Sequence, residues 1–323
     1  MTFRRWIRVG SPPARSGAHT CGTAARPARR WLTGAALCAC LLSPAPASAQ
    51  DDRVVHEVQS QYQLITVLDT ATGYRQLVFD GRFDGTDPIQ SQMNLADPYE
   101  LTLSYARHMI TAVAVPDRPR RILIVGLGGA CLQRYLRKLL PEATIETAEI
   151  DPAMRAIAAE YFFFKEDARQ IVHVGDGRTF IERSKDRYDL ILLDAFTATS
   201  IPYHLTTLEF LRAVAMRLGG GGVVGANLWD AEPNYWDLVK TYSAVFPGLH
   251  IVKCAGSANS ILLAIPTKTD FTVQAWAGRA AAFERARPTG LDLPQLILTG
   301  AAQALSIPAT ARVLLDKDAG GGW

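Results

Sequence analysis

Between Arg121 and residue 265 the chain alternates short apolar, β-branched runs with amphipathic segments. The strand-like runs that precede a segment with helical spacing are ILIVG, TIETAEI, IVHV, YDLILLD and GGVVGANLW. Strands of this kind, alternating with helices, are typical of a doubly wound, mostly parallel α/β sheet covered on both faces. Two further runs, LHIVKC and SILLAIP, predict a strand pair. We therefore expect a seven-stranded sheet whose last strand is reversed.

The segment before this region predicts a small β-rich subdomain. Val54–Leu68 is rich in β-branched and aromatic residues, and ATG followed by YRQLVFDG predicts a hairpin, with IQSQM as a candidate third strand. Pro98–Val115 has helical spacing, with Asp97 as the expected N-cap. These patterns divide the chain into a leader over 1–49, a β-hairpin subdomain over 50–97 and a Rossmann-like domain over 98–323 with a helical tail.

The leader has the pattern of a secretory signal peptide. It contains seven arginines and no acid, then the apolar run WLTGAALCACLL, which is too short to span a bilayer comfortably, and then ASA before Gln50. We expect cleavage after Ala49 and a periplasmic or secreted protein without a stable membrane span. The alternatives are a lipoprotein with Cys40 as the lipidated residue, or a cytoplasmic protein with an arginine-rich tail.

The remaining chain is weakly acidic, with 27 basic and 31 acidic residues, so the net charge of +3 comes from the leader. This balance gives no reason to expect a nucleic-acid partner. Cys131 and Cys254 are the cysteines outside the leader, and nothing has metal-ligand spacing. We expect two separate buried thiols and no metal, although the sequence leaves a single disulfide open.

The candidate site comes from the residues that end the strands, because open parallel sheets bind ligands at the carboxyl ends of their strands. The first strand runs into Gly126, Gly128 and Gly129, where a backbone can approach a ligand closely. Cys131 stands where a dinucleotide fingerprint requires its third glycine. A tight turn without a ligand is the alternative interpretation.

Three acids close the next strands. Glu149 can accept both hydroxyls of a ribose, Asp176 before Gly177 can accept an adenine amino group, and Asp194 can orient and deprotonate a nucleophile. Each acid has a structural alternative as a solvated strand end, an N-cap or a turn residue. Together they predict a class I S-adenosylmethionine-methyltransferase-like fold that binds an adenosyl sulfonium rather than NAD.

At this point the chain resembles the spermidine synthases, the polyamine aminopropyltransferases, and especially their bacterial spermidine-synthase-like branch. The resemblance covers about residues 54–265 and rests on SQYQLITV, LVFDG, SYARHMI, VGLGG, AEID, VGDGR and LLDAF. It implies that Gln63 contacts the thioadenosine, that Tyr105 and Asn227 line the substrate pocket, and that Asp194 is catalytic. It implies the same nucleoside roles for the glycine loop and the other acids: Gly126, Gly128, Gly129, Glu149, Asp176 and Gly177.

The resemblance implies transfer of an aminopropyl group from decarboxylated S-adenosylmethionine to a putrescine-type amine, with no permanently bound cofactor, in a homo-oligomer. Three departures bear on this. Gly129 and Thr197 stand where the family has aspartates, and Ala106-Arg107 replaces a glutamine–glutamate pair. A diamine needs carboxylates to pair its ammonium groups. The alternatives are therefore an S-adenosylmethionine-dependent methyltransferase and a non-catalytic exported nucleoside- or polyamine-binding protein.

Overall fold

The computed structural model of the chain describes residues 52–81, 89–268, 270–301 and 305–319. The predicted leader lies outside these residues. In the described part, an antiparallel sheet of four strands precedes a mixed sheet of seven. The first sheet has the order β1 (Arg53–Gln59), β2 (Leu64–Asp69), β3 (Tyr74–Phe79), β4 (Ile89–Asn94). This confirms the small N-terminal β-rich subdomain.

The single strand predicted over Val54–Leu68 is wrong, because a turn divides it into β1 and β2. The Ser60 hydroxyl oxygen accepts the amide protons of Tyr62 (3.0 Å) and Gln63 (3.1 Å), which reverses the chain. A serine that bonds to nearby amides offers the backbone an alternative to the strand ladder. The predicted hairpin is confirmed as the antiparallel pair β2–β3, and IQSQM forms β4.

The second sheet confirms the doubly wound prediction. Its strands are β5 (Arg121–Val125), β6 (Thr144–Glu149), β7 (Gln170–Val174), β8 (Tyr188–Leu193), β9 (Leu218–Trp229), β10 (Gly248–Lys253) and β11 (Asn259–Ile265). Their order is β10-β11-β9-β8-β5-β6-β7, and β5 to β9 are parallel. The last strand, β11, inserts between β9 and β10 and is antiparallel to both. The reversal of the last strand is thus confirmed.

The helices follow the predicted alternation. They are α1 (Ser104–Met109), α2 (Cys131–Leu139), α3 (Pro152–Tyr161), α4 (Gly177–Arg183), α5 (Leu208–Met216), α6 (Tyr235–Val245), α7 (Val273–Ala286) and α8 (Leu293–Gly300). None of the helices in the described ranges combines the length and hydrophobicity needed to cross a bilayer.

The helix predicted from Pro98 is wrong at its start. The Asp97 carboxylate accepts the Tyr99 amide proton (3.1 Å) and the Asp97 carbonyl accepts that of Glu100 (3.0 Å), so Asp97 closes a turn instead of capping a helix. The helix begins at Ser104 and continues as a 3-10 turn over Ile110–Ala114.

The N-terminal sheet packs on the part of the second sheet that carries the site. Ile65, Val67 and Met93 from the first sheet share one apolar cluster with Leu127 in the glycine loop and Phe162 after α3. All five are buried. Burial of apolar surface between the two sheets therefore fixes β4 over the loop that follows β5.

Candidate active site

Asp194 lies directly beside the glycine loop. Its amide donates to the Val125 carbonyl (2.9 Å), which extends the parallel pair β5–β8 by one residue. Gly126 has φ +103°, and a Cβ atom built there would lie 2.2 Å from the Asp194 carbonyl oxygen. Only glycine permits this approach, because any side chain would displace the Asp194 backbone.

The Asp194 carboxyl group is placed to exchange a proton near neutral pH. Burial raises its pKa to about 7, although the Asn227 side-chain amide donates to Oδ1 (2.9 Å) and acts in the lowering direction. Tyr105 interacts electrostatically with Asp194. Burial, and to a smaller extent the negative charge of Asp194, raise the pKa of the Tyr105 phenol well above its usual value. The phenol donates to the Gln90 carbonyl of β4 (3.3 Å).

Glu149 supports the glycine loop from the end of β6. Its two carboxylate oxygens accept the amide protons of Leu127 (2.9 Å) and Asp151 (2.8 Å). Burial raises the pKa of Glu149 to about 6, and these hydrogen bonds partly offset that effect. Asp151 caps α3 by accepting the Ala153 amide proton (2.9 Å). Each Glu149 oxygen retains a lone pair that can accept a ribose hydroxyl.

Asp176 caps α4, which is the structural role considered as its alternative. Oδ1 accepts the Thr179 amide proton and Oδ2 contacts His204 Nε2, both at 2.7 Å. Burial acts to raise the pKa of Asp176, but the hydrogen bonds from His204 and Thr179 outweigh it and lower the pKa to about 2. At Gly177 a Cβ atom would lie 2.5 Å from Val125 Cγ1, so glycine allows α4 to approach β5.

Between these two acids the sheet edge carries exposed apolar side chains. Ile150 follows Glu149 and is 38% exposed, and Val174, which pairs with Glu149 across β6 and β7, is 46% exposed. Removing apolar surface from water is favourable, so a planar base lying between Glu149 and Asp176 would be stabilised by covering them.

The structure brings most of the predicted residues together. Gly126, Glu149 and Asp194 meet at the glycine loop through direct contacts, and Asn227 bonds to Asp194. Gln63 and Asp176 are exceptions. Gln63 lies in the turn between β1 and β2, and the Asp176 side chain bonds to Thr179 and His204. Among the described residues, neither side chain makes a hydrogen bond to another predicted site residue.

Gly129 replaces the aspartate implied by the resemblance because its surroundings leave no room for a side chain. A Cβ atom there would lie 2.9 Å from both Phe162 Cδ1 and Ser91 Cβ. The Gly129 amide donates instead to the Ser91 hydroxyl (2.8 Å). Among the described residues, no group accepts the amide proton of Gly128. The loop thus presents a free backbone donor and no acid at Gly129.

Sequence reasoning missed Ser91, His204 and Asn259. Ser91 lies on β4 and Gly129 lies in the loop after β5, 38 positions further along the chain, and no pattern in the sequence predicts that they meet. His204 lies in a 3-10 turn over Tyr203–Leu205 after β8, and Asn259 reaches the site from β11 by donating to Asn227 (3.0 Å). Only the order of the strands could have indicated Asn259, because it places β11 next to β9.

The two thiols are not bridged: Cys131 and Cys254 are both free, and Cys254 is buried. Within the described ranges, no group of three or more histidines, cysteines and acids is placed to hold a metal ion.

A mostly parallel sheet with a glycine loop after β5 and acids at or just after the ends of β6, β7 and β8 is typical of class I nucleoside-binding transferases. The family model "Spermine/spermidine synthase domain" matches residues 103–247. A polyamine aminopropyltransferase from Vibrio vulnificus is 34% identical over 238 residues, which cover 72% of this chain and 78% of the relative. The chain belongs to the polyamine aminopropyltransferase family.

Solved structures agree on the fold. A "probable spermidine synthase" from Corynebacterium glutamicum superposes with a TM-score of 0.60 at 19% identity, over 80% of this chain and 98% of that one. Human methyltransferase-like protein 13 in complex with SAH gives a TM-score of 0.52 at 26% identity, over 57% of this chain and 91% of that one.

Proposed function

We propose that the chain transfers an aminopropyl group from decarboxylated S-adenosylmethionine to a putrescine-type amine. Membership of the aminopropyltransferase family supports the reaction class. The single observation that carries the proposal is Asp194, a half-buried carboxyl group that follows β8 and has a pKa raised to about 7, accepts a hydrogen bond from Asn227 and lies against the glycine loop. A general base works best when its pKa lies near the working pH.

In the proposed reaction the acceptor nitrogen attacks the propyl carbon bonded to the sulfonium sulfur. The carbon–nitrogen bond forms as the carbon–sulfur bond breaks, and the sulfur keeps the electron pair in neutral 5′-methylthioadenosine. The attacking ammonium group must lose a proton to expose its lone pair, and Asp194 is the proposed acceptor of that proton. Tyr105, whose raised pKa keeps it protonated, would border the acceptor.

Glu149 and Asp176 are proposed to hold the ribose and the adenine, with Gly126, Gly128, Gly129 and Gly177 forming the floor. Gln63 is proposed to contact the thioadenosine and Asn227 to line the acceptor pocket. Thr197 and Ala106-Arg107 remove carboxylates that the resemblance implies for the far ammonium group. We therefore propose an amine acceptor that is held mainly at its reacting end.

The donor pocket is expected to accept S-adenosylmethionine, its decarboxylated form and 5′-methylthioadenosine. An aspartate at position 129 would repel the carboxylate of ordinary S-adenosylmethionine by about 4 kcal/mol at ~4 Å and an effective dielectric of 20. Its absence narrows the preference between the two donors by up to about three orders of magnitude. Titration calorimetry of the full chain with the three nucleosides measures this directly.

Glu149→Ala is the matched variant for this calorimetry. It should weaken all three nucleosides alike, because the ribose is common to them. Binding of none of the three by the unmodified chain would reject the enzyme proposals together. Strong selectivity for the decarboxylated donor would contradict the predicted breadth and would point to another residue in place of the missing aspartate.

A methyltransferase is the second candidate function. Two observations favour it: the absence of an acid at Gly129, and the similarity to human methyltransferase-like protein 13, whose solved structure contains SAH. The nucleoside product separates the candidates, since methyl transfer releases S-adenosylhomocysteine and aminopropyl transfer releases 5′-methylthioadenosine.

We also propose that the chain is exported after cleavage behind Ala49 and forms a homo-oligomer through its N-terminal strands. The signal-peptide pattern supports export. β1 is an edge strand of the first sheet and carries Val54, which is 50% exposed, and this supports pairing through that edge. Cytoplasmic location remains the alternative, and mass spectrometry of the N-terminus from cells separates the two.

A further inference from the structure

We propose that Asn259 is a positioning residue that fixes the orientation of the Asn227 amide and thereby keeps Asp194 ready to accept a proton. The catalytic consequence rests on the proposed function, whereas the effect on Asp194 itself does not. A series of hydrogen bonds runs from the turn before β11 to the half-buried Asp194 carboxyl group.

The series consists of three hydrogen bonds. Ser257 donates from its hydroxyl to Asn259 Oδ1 (2.6 Å), Asn259 Nδ2 donates to Asn227 Oδ1 (3.0 Å), and Asn227 Nδ2 donates to Asp194 Oδ1 (2.9 Å). The strand register explains the contact: Asn259 pairs with Trp229 and Ile261 with Asn227, so the two asparagines are diagonal neighbours on one face of β9 and β11.

The donor and acceptor at each of these hydrogen bonds follow from the chemistry of the Asp194 carboxylate. An ionised carboxylate only accepts hydrogen bonds, so Asn227 must turn its NH₂ group towards Asp194. Its carbonyl oxygen then needs a donor, because Asn227 is only 4% exposed and cannot rely on water. Asn259 supplies that donor. The Ser257 oxygen accepts the Asn259 backbone amide proton (3.2 Å) and its hydroxyl donates to Asn259 Oδ1, which leaves the Asn259 NH₂ group facing Asn227.

The reverse orientation of Asn227 would have the opposite effect on Asp194. It would turn the amide oxygen towards the carboxyl group, and two facing acceptors are relieved only when the carboxyl group is protonated. Asn259 disfavours that orientation, since its NH₂ group would then face another NH₂ group. Asn259 therefore favours the ionised form of Asp194, the form that accepts a proton.

The other titratable groups that act on Asp194 do not compete with this effect. Tyr105 of α1 and Cys131 of α2 both interact electrostatically with Asp194. Burial raises the pKa of both groups, so both are neutral near pH 7. Within the part of the chain that the structure describes, the Asp194 side chain accepts a hydrogen bond from the Asn227 amide and from no other group.

The test is Asn259→Leu in the full chain, a neutral change of similar size. The pKa of Asp194 is measured without ligand by carbon NMR of its side-chain carboxyl group, assigned with Asp194→Asn. We expect it to rise by about one unit, which is tenfold in the protonation equilibrium. The apparent pKa of the acid limb of the kcat/KM profile should rise by the same amount, while the affinity for the donor nucleoside stays unchanged.

Ser260→Ala is the matched control. Ser260 is buried on the same strand, and its hydroxyl donates to Asp230 Oδ1 (2.5 Å). It takes no part in the hydrogen bonds that reach Asp194. It should leave the Asp194 pKa in place. Asn259→Ala, a smaller change at a half-buried position, should give the same rise and serves if the leucine variant does not fold.

An unchanged Asp194 pKa in the folded Asn259 variants would overturn the proposal, as would an equal rise in Ser260→Ala. The proposed function fails separately. If the unmodified chain transfers nothing but its Asp194 pKa still rises on Asn259 substitution, the positioning role stands and the aminopropyltransferase proposal does not.

Discussion

Asp194→Asn is expected to abolish aminopropyl transfer while leaving donor binding intact. The asparagine keeps the shape of the side chain but cannot take a proton from the attacking ammonium group, a role that contributes about 10²- to 10⁴-fold in enzymes. The donor contacts proposed for Glu149 and Asp176 are not touched. Transfer rates and calorimetry with decarboxylated S-adenosylmethionine measure the two effects separately.

The same variant is expected to be more stable than the unmodified chain above neutral pH. Because burial raises the pKa of Asp194 from 3.8 to about 7, the folded state binds this proton more tightly than the unfolded state. The stabilisation from this proton is complete below pH 3.8, the pKa in the unfolded state, and is lost as the pH rises through about 7, the pKa in the folded state. The pKa shift limits the gain in the free energy of unfolding of Asp194→Asn to about 4 kcal/mol. We expect about 1–2 kcal/mol, because the new asparagine side chain also loses hydration when it is buried.

Thermal unfolding at acid and alkaline pH measures this gain. The melting temperatures of the two proteins should converge in acid, where Asp194 is protonated in both states, and separate in alkali. A difference of equal size at both extremes would contradict the assignment of the effect to the ionised, half-buried Asp194 carboxylate. Transfer that survives in Asp194→Asn would assign the base to another residue.

Gly126→Ala is expected to destabilise the fold and to remove activity together. The added Cβ atom would lie 2.2 Å from the Asp194 carbonyl oxygen, and the residue would also hold φ +103°. Strain of this kind costs about 1–3 kcal/mol, and a forced contact in a packed region adds about 1–3 kcal/mol. We expect a loss of about 3–5 kcal/mol in the free energy of unfolding by urea.

Gly73→Ala separates the two causes. Gly73 has φ +85° in the β2–β3 turn, and a Cβ atom there would meet nothing within 4 Å. This control carries the backbone strain without the collision, so its loss should be about 1 kcal/mol, with transfer intact. Equal losses in both variants would show that Gly126 is needed only for its backbone conformation.

The sheet and the main acids could be predicted from the sequence because both follow from local rules. Apolar β-branched runs alternate with amphipathic helices, and the carboxyl ends of parallel strands meet at one edge. That is why Glu149 and Asp194 fall together in the structure. The start of α1 could not be predicted in the same way, since Asp97 before Pro98 suits a turn as well as a helix cap.

The finer parts of the site depend on contacts between distant segments. Gly129 shows no sequence signal for its crowding, because the crowding comes from Ser91 on β4 and from Phe162 after α3. Asn259 reaches Asn227 only because β11 inserts beside β9. Asp176 fits both an adenine ligand and an N-cap, and the structure shows the cap.

The most direct test of the proposed reaction is the pH dependence of 5′-methylthioadenosine release by the full chain, supplied with decarboxylated S-adenosylmethionine and putrescine. We expect kcat/KM to rise with pH through a single step near 7, because it reports the base of the free enzyme, and the step to be absent in Asp194→Asn. Release of 5′-methylthioadenosine only at the uncatalysed rate, at every pH, would contradict aminopropyl transfer by this chain.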